Sequence, residues 1–211
     1  MKRRIITISR QFGSGGREIG FRLAEELGIK CYDKEILHRA AQESGISEKL
    51  FEHVDEKSVN SLLYSLATGG RALPSGMLLY NDPFSTDRLF LLQSEVIRKI
   101  ASEESCVFVG RCADFVLQEN PNLLSIMIHA PLADRIRRVK ERNQISEEEA
   151  RNLIKKTDKR RASYYNFFAN GRWGEADNYD LCVDSSRLGI HRTVALLKEF
   201  VQLVPVAVEP R

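Results

Sequence analysis

The segment IITISRQFGSGGREIG, residues 5–20, restricts the fold more than any other part of the chain. An apolar run stops, Gly13, Gly15 and Gly16 follow in quick succession, and a helical pattern begins. A strand that turns through glycines into a helix lines up backbone N–H groups below a helix N-terminus, and such a turn binds anions. Glycines there accept positive φ and let the backbone approach a phosphate closely. The usual pattern for such a loop is G-x-x-x-x-G-K-[ST], with its lysine on the β- and γ-phosphates. Here no lysine follows the glycines, and two registers are open. With Gly15 as the last pattern glycine, Gly16 takes the lysine place and Arg17 the Ser/Thr place. With Gly16 as the last, Arg17 takes the lysine place and Glu18 that of a metal ligand. A purely structural turn is the competing reading of the same residues.

The rest of the chain supplies the setting such a loop needs. Short apolar runs bounded by turn signals predict buried parallel strands at 4–9 (RIITIS), 106–110 (CVFVG), 123–130 (LLSIMIHA) and 179–185 (YDLCVDS), with 29–33 (IKCYD) a weaker fifth. Helical spacing fills the intervals. Ile19, Leu23 and Leu27 recur at i, i+4 and i+8 before Gly28 stops the helix of 17–28. Asp87 is placed to cap a helix over 87–103 that carries Leu89, Leu92, Val96, Ile97 and Ile100 on one stripe. Ser146 and Glu149 form an S-x-x-E capping box ahead of a helix to 168, and the last helix covers 190–203. Strands alternating with helices predict an α/β fold with a parallel sheet, in a single domain over 1–211. Residues 58–86, rich in Gly, Pro and Ser, break the alternation and read as either a surface loop or a flap over a site.

Composition excludes several function classes. A net charge of +3 over 211 residues does not by itself imply nucleic acid, and aromatic interleaving of the basic stretches is poor. No stretch is long and apolar enough to span a membrane, and MKRR followed by only four apolar residues is too short for a secretory signal, which predicts a cytoplasmic protein. Cys31, Cys106, Cys112 and Cys182 show no metal-ligand spacing and read as reduced thiols. The histidines His38, His53, His129 and His191 share no catalytic or metal-binding spacing, so no protein-held metal site is predicted.

The opening, ITISRQFGSGGREIGFRLAEELGIKCYDKEILHR, resembles that of the cytidylate kinase-like nucleoside monophosphate kinases. The resemblance continues through VFVGRCAD (107–114), HAPLADRIRRVKER (129–142) and YDLCVDSS (179–186), and covers most of the chain outside 45–90. SRQFGSGG, GRCAD and DKRRASYY match signatures of a divergent cytidylate kinase-like group. It implies a P-loop NTPase fold of three α/β/α layers on a five-stranded parallel sheet. Mobile segments would bind the acceptor (about 34–88) and form a lid (about 132–165). Aligned without gaps, it selects the first register and places Gly16 at the lysine position.

What the resemblance implies about activity is phosphoryl transfer from ATP, with Mg2+, to a nucleoside monophosphate or related small acceptor. The phosphates would lie on Gly13, Ser14, Gly15, Gly16 and Arg17. Arg10, Arg17, Asp33, Arg138 and Arg160 are the catalytic candidates, with Arg10 or Arg17 standing in for the lysine. Asp33, Arg39, Arg111, Asp114 and Arg161 are the acceptor-binding candidates. Arg135 also matches the first part of the lid, and Asp158 an acidic residue of its second part. Two departures argue against CMP as acceptor: the positions that read cytosine hold Arg161 and Tyr164, and the Asp expected after Gly-Arg is Cys112. The basic excess over 135–161, eleven Lys or Arg against five Asp or Glu, reads as lid charge or as a solvated face. Tyr164, Tyr165, Phe167, Phe168 and Trp173 read as a core patch ahead of a base-stacking platform. A nucleotide-binding regulator without turnover is the alternative function, nucleotides are the expected partners, and homo-oligomerisation stays open.

Overall fold

A computed structural model describes residues 3–33, Gln42, residues 86–169 and residues 171–206. Its strands are β1 (Ile5–Arg10), β2 (Lys30–Tyr32), β3 (Cys106–Val109), β4 (Leu123–His129) and β5 (Leu181–Asp184). Its helices are α1 (Gly16–Leu27), α2 (Thr86–Glu103), α3 (Ala113–Val116), α4 (Leu132–Asn143), α5 (Glu147–Phe168) and α6 (Ser185–Leu203), with a short 3-10 turn at Ala176–Asn178. The strands form one parallel sheet in the order β2-β3-β1-β4-β5. The central β1 pairs Ile5 with both Cys106 and Leu123, so the C-terminal ends of β1, β3 and β4 lie side by side. That is the edge at which open parallel sheets bind ligands.

Two-residue alternation along the strands splits the core between the two faces of the sheet. Ile6, Ile8, Val107, Val109, Ile126 and Ile128 face Ile19 and Leu23 of α1 and Val194, Leu197 and Val201 of α6. Ile5, Cys106 and Phe108 face Val96, Ile97 and Ile100 of α2. Each fully buried Ile or Leu contributes roughly 1.5–3 kcal/mol relative to exposure, which is why these runs read as strands buried on both faces. The α4–α5 pair has a small core of its own, Ile136, Val139, Ala150 and Ile154.

The expected three-layer architecture with five parallel strands is present, and the differences are local. Asp87 lies in the first turn of α2, which begins at Thr86, instead of capping it. The last helix begins at Ser185, capped by the Asp184 side chain, and Gly189 (φ 71°, ψ 173°) interrupts it just before the expected start. Most of the acceptor segment expected at 34–88 and of the Gly/Pro-rich stretch 58–86 lies outside the described residues, as does Arg39.

Candidate phosphate-binding site

The turn between β1 and α1 is built by its glycines. Gly13 and Gly15 are left-handed, at φ 81° and 82°, and Gly16 is the first residue of α1. Gly15 at the N-cap contributes no side-chain cap, which leaves the helix N-terminus to other acceptors. Ser14 is fully buried and braces the turn: its amide (3.2 Å) and hydroxyl (2.9 Å) both donate to the Gln11 carbonyl, and its hydroxyl accepts the Gly16 amide at 3.3 Å. The amides of Gly13, Gly15 and Arg17 donate to no protein acceptor among the described residues. They are the donors an anion would meet here.

Cationic groups gather around that turn. Arg10 closes β1, and its Nη2 lies 3.9 Å from Oδ1 of Asp33, just past β2. Arg17 donates from Nε to Oδ2 of the same carboxylate at 2.7 Å, with its guanidinium over the Phe21 ring. Asp33 is almost fully buried, so its charge is balanced by these two guanidiniums. Beyond β3 the chain runs through three consecutive left-handed residues, Gly110, Arg111 and Cys112. Left-handed backbone is strained at non-glycine residues, and such strain collects at functional sites. Gln93, buried on α2, holds the turn by donating to the Arg111 carbonyl at 3.2 Å and to the Tyr164 hydroxyl at 3.3 Å.

The α4–α5 pair is bonded directly to the loop. Asp158 accepts the Phe12 amide at 2.7 Å with one carboxylate oxygen and Arg135 at 2.5 Å with the other. Arg135 also donates to the Phe12 carbonyl at 3.3 Å. Arg138 donates to the Ser14 carbonyl at 3.0 Å and to Ser185 at the start of α6 at 3.2 Å. Arg161 donates to the Arg10 carbonyl at 2.8 Å. Burial first, then the like charge of Arg10, pulls the Arg161 pKa down to about 9. The carboxylates of Asp158 and Asp33 oppose the shift. Arg160 adds to it from the next position and is half-buried.

Of the candidate residues, the structure therefore brings together Arg10, Gly13, Ser14, Gly15, Gly16, Arg17, Asp33, Arg138 and Arg161. Asp114 sits deeper, at 6% exposure under the C-terminal part of α5. Burial raises its pKa, opposed by the Phe115 amide and the Tyr165 and Ser9 hydroxyls. Burial also pushes Tyr179 up to about 12 and Tyr165 well up. Tyr165 and Cys112 are buried together beside Phe90, Tyr164 and Trp173, and Phe90 stacks on Phe168 at 4.0 Å, so this patch is core as expected. Phe167 is the exception, at 46% exposure.

Mg2+ fits this site only as part of a nucleotide complex. Position 17 offers a guanidinium where the pattern has a hydroxyl, and Asp33 is engaged by two arginines. No cluster of three or more His, Cys, Asp or Glu suited to a metal ion occurs among the described residues. Mg2+ is characteristically held through substrate phosphates.

Comparisons with known proteins bear on family and fold. The model of the Cytidylate kinase-like family matches residues 5–187. The cytidylate kinase of Methanopyrus kandleri is 29% identical over 203 residues, covering 92% of this chain and 91% of that one. An uncharacterized protein of Eubacterium ventriosum has a crystal structure with TM-score 0.69 and 29% identity, covering 96% of this chain and all of that one. Shikimate kinase from Bacteroides thetaiotaomicron, at 13% identity, covers 95% of this chain and 99% of its own, and its TM-score of 0.52 shows a shared fold alone.

Proposed function

The chain belongs to the cytidylate kinase-like family, and from that membership we propose an ATP-dependent phosphotransferase acting on a nucleoside monophosphate or a similar small phosphorylated acceptor. The observation that carries this reading is the convergence of open loop amides with Arg10, Arg17 and Arg161 at the C-terminal edge of the sheet. Phosphoryl transfer needs little beyond positioning and charge around the transferring group. Main-chain donors and guanidiniums, fixed before the reaction, meet that need without reorganisation.

In this reading the amides of Gly13, Gly15 and Arg17 hold the polyphosphate. Arg161 and Arg160, on the arm formed by α4 and α5, add positive charge beside it. Arg111 and Arg39 hold the acceptor's phosphate, and Asp33 keeps two guanidiniums oriented. Mg2+, carried on the nucleotide's phosphates, supplies further charge neutralisation. Cys112, Arg161 and Tyr164 at the positions that would read CMP favour another acceptor.

The test is ADP formation from ATP in a coupled assay across a panel of nucleoside monophosphates and small phosphorylated alcohols. Acceptor-dependent ADP release on at least one member supports the proposal. ATP bound tightly with no ADP released on any acceptor overturns it in favour of a nucleotide-binding regulator.

A further inference from the structure

The absent lysine and the arginine that ends β1 are two halves of one exchange, and we infer that Arg10 performs the lysine's task on the β- and γ-phosphates. The inference rests on the phosphoryl-transfer reading and identifies which side chain supplies the loop's charge.

The backbone fixes the register. Gly15 is the left-handed N-cap and Gly16 the first residue of α1, so Gly16 stands where the strand–loop–helix pattern G-x-x-x-x-G-K-[ST] has lysine. Five residues before Gly15, the first glycine of that pattern falls on residue 10, the last of β1. The pattern has glycine and then lysine at these two places; this chain has arginine and then glycine.

The exchange is sterically reciprocal. A Cβ at position 16 would lie 2.5 Å from Cβ and 3.2 Å from Cγ of Arg10, with Cβ of Ile128 3.1 Å away on the other side. A side chain at 16 and the arginine stem at 10 therefore claim the same space. The guanidinium lies directly against a second glycine: a Cβ on Gly110 would fall 1.8 Å from Nη1 of Arg10 and displace it from this position. The Arg10 side chain thus runs from the end of β1 past the end of β3 to Asp33, and is 17% exposed. Arg17 lies differently. Its side chain is 63% exposed, bonded through Nε to Asp33 and laid over Phe21. Arg10 has the inner path, and a planar guanidinium can fork onto two phosphate oxygens where an ammonium offers a point charge. In the transfer itself an anionic oxygen of the acceptor's phosphate bonds to the γ-phosphorus, the bond to the β–γ bridging oxygen breaks, and ADP leaves with that electron pair. Arg10 donates hydrogen bonds and keeps its protons.

Binding of ATP and of AMP to the full chain and its variants, by titration calorimetry, tests this. The native chain binds ATP more tightly than AMP. Arg10→Ala weakens ATP by roughly ten- to a hundredfold, the scale of a charge-assisted hydrogen bond, and AMP by less than about threefold. Gly16→Lys alone binds ATP poorly because it must expel Arg10. The double variant R10G/G16K restores the usual pattern and regains at least about tenfold in ATP affinity over Arg10→Ala, a gain that relief of the collision alone would not give, since Arg10→Ala leaves glycine at 16. A merely structural arginine would not split ATP from AMP, and the swap would not rescue it. Arg10→Ala binding ATP within about threefold of native overturns the inference. So does a double variant, folded by circular dichroism, that binds no better than Gly16→Lys. Should Arg10→Ala fail to fold, Arg10→Lys and the double variant decide alone. A native chain that binds no ATP brings down the phosphoryl-transfer reading itself.

Discussion

Gly28 and Gly110 share a left-handed φ, 66° and 76°, but only one has a neighbour that would resent a methyl group. Nothing lies within 4 Å of a Cβ on Gly28, so Gly28→Ala is expected to cost about 1 kcal/mol of stability through backbone strain alone. Turnover should be unchanged. Gly110→Ala carries the same strain and also drives a Cβ into the Arg10 guanidinium. Its expected signature is a similar loss in urea unfolding with a fall in kcat of about tenfold or more, since small misplacements at a reacting centre are costly. Equal kcat in the two variants would detach Gly110 from the site. The glycines themselves were legible in the sequence, because strand, glycines and helix are adjacent in the chain. The collision between positions 16, 10 and 110 was not, for it depends on which strands become neighbours.

At the scale of elements, the arm formed by α4 and α5 is fastened to the loop at three residues. Asp158 and Arg135 clamp both polar groups of Phe12, Arg138 takes the carbonyl of Ser14, and Arg161 that of Arg10. Arg135 is only 10% exposed along its side chain, so Asp158→Ala strands a buried charge as well as the Phe12 amide. The expected cost is about 3 kcal/mol in denaturant unfolding, with faster amide exchange along α5. A loss below about 1 kcal/mol would show the clamp to be dispensable. The start of α5 was readable: Ser146 and Glu149 form the reciprocal capping box that their spacing announces. Ser146→Ala should cost about 1 kcal/mol, seen as a lower Tm. The clamp was less readable. Asp158 is 146 positions from Phe12 and looks like one more charge on a solvated helix until the chain is folded. The break at Gly189 was hidden for a related reason, since glycine in a helical pattern gives a weak stop signal until its φ is known.

For the whole molecule, strand positions and the α/β alternation followed from apolar runs and their spacing and the three layers from the family resemblance, whereas the strand order β2-β3-β1-β4-β5 was not legible, because periodicity does not state which strands pair. The buried charges set a global property, the dependence of stability on pH. Asp114 is buried with its pKa raised, chiefly by desolvation. The native chain therefore holds this proton to higher pH than the unfolded chain does. Its contribution is full below the ordinary carboxylate pKa, near 4, and declines as pH rises through the raised native value. Carboxylates with lowered pKa values, half-buried Asp184 at the α6 cap and exposed Glu149 in the capping box, act in the opposite direction, their contribution being lost as pH falls. The Asp114 effect is isolated by the difference between native and Asp114→Asn unfolding free energies from pH 4 to pH 8. Asn is nearly isosteric but does not ionise, so the variant should gain on the native chain as pH rises over that range and lose ground at the acid end. A difference independent of pH would mean that Asp114 keeps an ordinary pKa within the fold, and that the surrounding hydroxyls and amides of Ser9, Tyr165 and Phe115 hold it as a carboxylate.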